Sequence, residues 1–182
     1  MQFEKTTIPD VILVRPTVFG DERGFFLEAW QQRRFGEAGV GPHFVQDNHS
    51  RSIQHTLRGL HYQLRQPQGK LVRVVAGEVF DVAVDVRRSS PTFGKWVGAV
   101  LSESNHCELW IPPGFAHGFL VLSESADFLY KVTDFYNRGD EVCIRWDDPN
   151  IAVSWPLPVG AAPLLSDKDA KGLTIAEANV FP

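Results

Sequence analysis

Leu57-Arg58-Gly59-Leu60-His61-Tyr62-Gln63-Leu64-Arg65-Gln66-Pro67-Gln68-Gly69-Lys70 reads as a strand, a turn and the opening of a second strand. Arg58 and His61 lie in an apolar, aromatic run where a solvated strand has no use for them. Gln66-Pro67-Gln68-Gly69 then turns the chain so that Lys70 opens the next strand. Strict alternation puts Arg58 and His61 on opposite faces. They serve one pocket only if the backbone bends between them, and Gly59 is the natural place for a bulge. A single histidine in a β-rich chain is more often structural than catalytic, so the meaning of this stretch depends on its surroundings.

Downstream, residues 71–76 form an apolar run that ends at Gly77. Phe80, Val82, Val84 and Val86 then alternate with Asp81, Ala83 and Asp85, the period of two expected of a half-buried strand. Segments 96–101, 108–111, 115–122, 127–133 and 142–146 continue the series, interrupted by Pro112-Pro113-Gly114. Upstream, residues 11–14 and 25–30 read as strands on either side of a turn at 20–24. Residues 33–39 suit a short helix weakened by Gly36. Residues 44–50 begin as a strand and then become polar, with Gln46 and Asn48 on one face. Short strands punctuated by Gly and Pro predict an all-β protein, a β-sandwich or jelly-roll barrel. Ser166, three residues before Asp169, marks a terminal helix. The expected organisation is one domain over 1–182, with a short N-terminal strand extension and a C-terminal helical tail.

Composition narrows the function. A chain of 182 residues, 43% hydrophobic, suffices for one good core. Its net charge of −4 argues against nucleic acid or an acidic membrane as partner, while leaving room for a locally basic pocket that takes a small anion. Two cysteines without a C-x-x-C, no signal-peptide pattern and no long apolar run lead to the expectation of a cytoplasmic protein with reduced thiols.

Gly59-Leu60-His61-Tyr62-Gln63, followed by Lys70 and Gly77, resembles the first motif of the cupin jelly roll, and Pro112-Pro113-Gly114-Phe115-Ala116-His117 resembles the second. Metal-binding cupins supply two histidines and a glutamate from the first motif and one histidine from the second. Here those positions read His61, Gln63, Lys70 and His117. A cation in place of the carboxylate repels a divalent ion, so no metal is expected. A fixed ammonium also suits an enzyme that stabilises an enolate, with His61 as the base that takes a proton beside a carbonyl.

Further runs make the resemblance closer: Arg58-Gly59-Leu60-His61, Gln46-Asp47-Asn48-His49-Ser50, Gly69-Lys70-Leu71-Val72-Arg73, Ser90-Pro91-Thr92-Phe93-Gly94, Trp110 to Phe119, Phe128-Leu129-Tyr130-Lys131 and Leu165-Ser166-Asp167-Lys168-Asp169. Together they resemble the dTDP-4-dehydrorhamnose 3,5-epimerases over nearly the whole chain. The resemblance implies a cupin-type jelly-roll barrel and a homodimer that needs no cofactor or metal. The implied substrate is dTDP-4-dehydro-6-deoxy-D-glucose, inverted at C3 and C5 through enolates on the way to dTDP-L-rhamnose.

By the same resemblance His61 is the general base, Asp169 its orienting carboxylate, Tyr130 the acid on the opposite face and Lys70 the stabiliser of the C4 enolate. Lys70 is also expected to ease the transient Tyr130 phenolate. Arg23, Glu28, Gln46, Asn48, Arg58, His117, Glu141 and Lys168 match ligand-contacting positions, and Tyr136 matches the aromatic that stacks on thymine. Arg23 and Glu28 are implied to reach the neighbouring subunit's site. Two other readings remain open at this point: an epimerase acting at one carbon or on another dTDP-4-keto sugar, and a sugar-nucleotide-binding jelly roll without turnover.

Overall fold

A computed structural model of the chain describes residues 1–41 and 43–182. Two antiparallel sheets face each other. The first contains β1 (Gln2–Lys5), β2 (Ile12–Arg15), β5 (Gln46–Ile53), β7 (Lys70–Ala76), β10 (Glu108–Ile111) and β12 (Ser125–Val132), in the order β1-β2-β10-β7-β12-β5. The second contains β6 (Leu57–Gln63), β8 (Glu78–Asp85), β9 (Trp96–Ser102), β11 (Phe115–Val121) and β13 (Glu141–Cys143), in the order β13-β6-β11-β8-β9. Among the described residues, β3 (Val18–Asp21) and β4 (Gly24–Leu27) pair only with each other, as a hairpin outside both sheets. Successive strands mostly alternate between the sheets, which gives the jelly roll expected of the sequence.

Three apolar clusters hold these layers. Between the sheets, Val72, Val74, Leu109 and Phe128 from the first meet Val79, Ala83, Phe119 and Val121 from the second. Outside the second sheet, Leu60, Val82 and Val84 pack under Ile144, Ile151, Ile175 and Ala178. Outside the first, Ile12, Leu71 and Trp110 pack against Phe35, the buried residue of the helix α1 (Gln32–Glu37). That helix stops before Gly39, whose φ of 75° suits a left-handed terminating position.

Strand β8 departs from the expectation of one wet face. Asp81 and Asp85 are fully buried, as are Val82 and Val84 behind them. The 144–151 segment and the tail cover one face, and the facing sheet covers the other. Polar residues 46–52 continue as strand β5 because they form a sheet edge, paired only with β12 and half in water. The 142–146 strand shortens to β13. The tail is helical only over α2 (Asp167–Ala170), after which it runs on through single bridges such as Ile144↔Leu173 and Arg87↔Phe181.

Candidate active site

The bend between Arg58 and His61 is present. Across the β6–β11 ladder His61 pairs with His117 and Arg58 with Phe119, so three steps on β6 match two on β11. Gly59, at φ 128°, lies against Gly118; a Cβ on Gly59 would come within 2.5 Å of the Gly118 Cα. Two glycines thus permit the close approach that turns both Arg58 and His61 toward one cavity of about 580 Å³. Its lining comes from both sheets and includes Arg58, His61, Lys70, His117, Tyr130, Tyr136, Glu141, Lys168 and Asp169.

His61 is half-buried, and its Nε2 lies 2.6 Å from Asp169 Oδ1, at an angle off the ideal line of a hydrogen bond. Asp169 is itself fixed. Its carboxylate accepts the Ser166 hydroxyl at 2.6 Å and the Gly59 N–H at 3.3 Å, while Ser166 caps α2 by accepting the Asp169 N–H. Burial works to raise this carboxyl, but His61, Ser166 and Gly59 together hold it down to about 2. At neutral pH it is therefore an anion. Burial lowers the His61 pKa below the ordinary histidine value, with Asp169 opposing, so the imidazole is neutral and basic near pH 7.

Lys70 sits half-buried with its Nζ 3.4 Å from the His61 carbonyl, which accepts. Desolvation pulls the ammonium down to about 8, against the pull of Glu141 and Asp81. It still carries its charge at neutral pH. Tyr130 projects from the opposite sheet. Burial raises its phenol, and the cation that opposes this most is Arg58. The Arg58 Nε also donates to Ser52 Oγ at 3.1 Å.

His117, buried beside stacked Phe119 and Phe128, has its Nε2 2.8 Å from Asp81 Oδ2. Toward the cavity mouth, Lys168 Nζ donates to both Glu141 oxygens at 2.9 and 3.0 Å, and the Tyr136 hydroxyl donates to Glu141 Oε2 at 3.3 Å.

Four expected site residues lie elsewhere in the protomer. Gln46 and Asn48 share a face as expected, but their amides bond to each other at 2.8 Å, and Asn48 lines a separate hollow behind Tyr130. Arg23 pairs with Asp21 on the β3–β4 hairpin, and Glu28 with Arg34 at 3.0 Å. Sequence reasoning missed Asp81, whose signal was a polar residue within an apolar strand. It also missed the second use of Ser166, whose capping position was the only clue.

The ligand atoms of His61, Cys143 and Asp169 lie within 4.8 Å of one another, which invites a test for a metal centre. Burial, reinforced by Asp169, pushes the Cys143 thiol up to about 12, so it is protonated where a metal needs a thiolate. Gln63, at a position where metal-binding cupins carry a ligand, spends its amide on backbone groups of Gln66, Phe135 and Asn137. The donor set does not fit a divalent ion.

An imidazole backed by a carboxylate and, from the opposite sheet, a phenol converge on one cavity, an arrangement that suits proton transfer at carbon and so the epimerase families. The sequence model of one such family, dTDP-4-dehydrorhamnose 3,5-epimerase, matches residues 5–177, and this chain belongs to that family. It is 61% identical over 183 residues to the dTDP-4-dehydrorhamnose 3,5-epimerase of Pseudomonas aeruginosa, with 100% of each chain covered. To that of Shigella flexneri it is 57% identical, covering 100% of this chain and 99% of the relative. The crystal structure of dTDP-6-deoxy-D-glucose-3,5-epimerase from Legionella pneumophila, in complex with dTDP-4-keto-L-rhamnose, superposes with a TM-score of 0.94 at 52% identity, covering 98% of this chain and 94% of that one.

Proposed function

We propose that the cavity inverts C3 and C5 of dTDP-4-dehydro-6-deoxy-D-glucose by two rounds of deprotonation and reprotonation, with His61 as base and Tyr130 as acid. The observation that supports this most is the approach of these two residues to one cavity from opposite sheets, with Asp169 behind His61. C3 and C5 both flank the C4 ketone, so loss of either proton leaves an enolate with its charge on the C4 oxygen. His61 takes the proton and becomes an imidazolium beside the Asp169 anion. Lys70 supplies the positive charge that the enolate oxygen requires. Tyr130 then gives its proton to the other face of the same carbon, which inverts it. Its phenolate regains a proton, and His61 loses one, before the second round. One group doing both jobs would return the proton to the face it left.

Arg58 and Lys168 suit the diphosphate, to which guanidinium and ammonium groups donate charge-assisted hydrogen bonds, and Tyr136 suits the thymine. His117 and Glu141 line the cavity and complete the binding set, while Gln46, whose Oε1 accepts the Tyr136 N–H at 3.5 Å and whose amide holds Asn48, borders it. A second copy of the chain completes the site. The β3–β4 hairpin belongs to neither sheet, and its Phe19, Phe25 and Phe26 are 62%, 63% and 69% exposed. A two-stranded ribbon of this kind is at best marginally stable alone. Docking on a partner buries those rings and carries Arg23 and Glu28 to the partner's cavity. The net charge of −4 gives no footprint for nucleic acid, and among the described residues no helix is long and apolar enough to cross a membrane.

The test is product analysis. The purified protein is incubated with the dTDP-4-keto sugar and a ketoreductase, and the reduced product is resolved by NMR. Doubly inverted product is expected. A product inverted at one carbon alone would make this a mono-epimerase, and unchanged substrate would leave a binding protein.

A further inference from the structure

Gln63 occupies a metal-ligand position of the cupin motif and has no direct part in the chemistry proposed above, yet it is 3% exposed and every polar atom of its side chain is used. Its Nε2 donates to the Gln66 carbonyl at 2.8 Å and to the Phe135 carbonyl at 3.1 Å. Its Oε1 accepts the Asn137 N–H at 2.8 Å. Phe135 and Asn137 are the two neighbours of Tyr136, so one buried amide grips the backbone on both sides of an aromatic that is itself 52% exposed. Gln63 also stands directly across the β6–β13 ladder from Glu141, whose carboxylate receives the Tyr136 hydroxyl. The backbone and the tip of Tyr136 are thus fixed from adjacent positions of two paired strands.

We infer that Gln63 is a positioning residue for nucleotide recognition: it holds the 135–137 segment so that the Tyr136 ring presents a fixed face to the nucleobase of the substrate. The inference rests on the assignment of Tyr136 to the base. The physical reason is entropic. An exposed ring on a free loop must be ordered when the base binds, whereas a segment already held by two hydrogen bonds to one buried amide has lost that freedom beforehand. A polar side chain so fully satisfied also locks its partners, because releasing any of them leaves a buried group unpaired.

The experiment is a double-mutant cycle on Gln63→Met and Tyr136→Ala, read by calorimetric titration with dTDP and with inorganic pyrophosphate, and by steady-state kinetics. Gln63→Met keeps the volume and loses all three bonds. It should weaken dTDP binding and raise KM about tenfold, the scale of one lost base–aromatic stack. Pyrophosphate affinity should hold, and kcat should fall far less than KM rises. In a Tyr136→Ala background the same change should cost almost nothing further, since the two act as one unit. Gln63→Glu, which keeps the acceptor and loses both donated bonds, takes the same measurements if Gln63→Met does not fold. Equal losses with and without Tyr136, or a fall in kcat at constant KM, would overturn the inference. An unchanged dTDP affinity in Tyr136→Ala would refute the stacking role itself. Weakening by Tyr136→Ala but not by the Gln63 variants would refute the clamp alone.

Discussion

His61 and His117 stand opposite each other across the β6–β11 ladder, and each imidazole has its own buried carboxylate, Asp169 at 2.6 Å and Asp81 at 2.8 Å. The two pairs differ in what secures the acid. Asp169 has a hydroxyl and a backbone N–H besides its histidine, whereas Asp81 Oδ1 has no partner among the described residues. The carboxylate behind His61 is therefore held as a stable anion, which suits a group that must support a transient imidazolium.

His61→Ala should abolish exchange of substrate hydrogens with deuterated water at both C3 and C5, and Asp169→Ala should lower it about a hundredfold or more. Circular dichroism and dTDP affinity serve as controls for folding. Exchange that persists in His61→Ala removes that residue from the role of base.

Because burial lowers the His61 pKa, the acid limb of kcat/KM should fall below the ordinary histidine value of about 6.5. Asp169 is what opposes burial. Asp169→Asn should accordingly carry the limb to still lower pH while the plateau drops, as a pH–rate profile of both proteins will record. A limb that rises in the variant contradicts the assignment.

Tyr130→Phe keeps the ring and loses the hydroxyl. Doubly inverted product should form about a hundredfold more slowly or worse, with substrate affinity little changed and with His61 still exchanging at least one substrate proton. If the rate is undiminished, the acid lies elsewhere, with Tyr136 or a bound water next to be tested.

Prolonged chelation should leave activity intact, and elemental analysis should find no stoichiometric metal. The basis is the ammonium of Lys70 and the protonated Cys143 beside His61. Loss on chelation, restored by one divalent ion, would overturn the metal-free chemistry.

Arg23→Ala and His61→Ala should each be impaired alone, yet mixed dimers should recover activity. In a site shared between subunits, one of the two cavities of the hybrid has His61 from one chain and Arg23 from the other, both intact. Mixing that restores nothing would show that the hairpin acts within its own protomer or not at all.

How much of the fold and site was legible in the sequence depends on the range of each interaction. Strand positions could be read from alternation, and β6, β7, β10 and β11 lie close to where the pattern puts them, because periodicity is a property of immediate neighbours. The bend at Gly59 could be anticipated for the same reason: two side chains three residues apart needed one face, and Gly59 was the one glycine between them. The motif spacing likewise brought His61, Lys70 and His117 into one reading.

Other features waited on the fold. Gly59 and Asp169 meet across 110 residues of chain, and no local pattern selects that carboxylate from the 22 acids present. The alternation in β8 marks two faces but cannot say that both are dry, since this depends on Ile175 and Ala178 arriving from the far end of the chain to cover one of them. Gln63 read as a missing metal ligand, and only the arrival of the 135–137 segment turned it into a bond-saturated anchor. The sequence by itself determined the strands, the turns and the kinds of chemistry available, through forces that act within a few residues. Tertiary structure alone decided which acid serves which base and which polar groups lose their water, because both depend on segments that are distant along the chain and adjacent only after it folds.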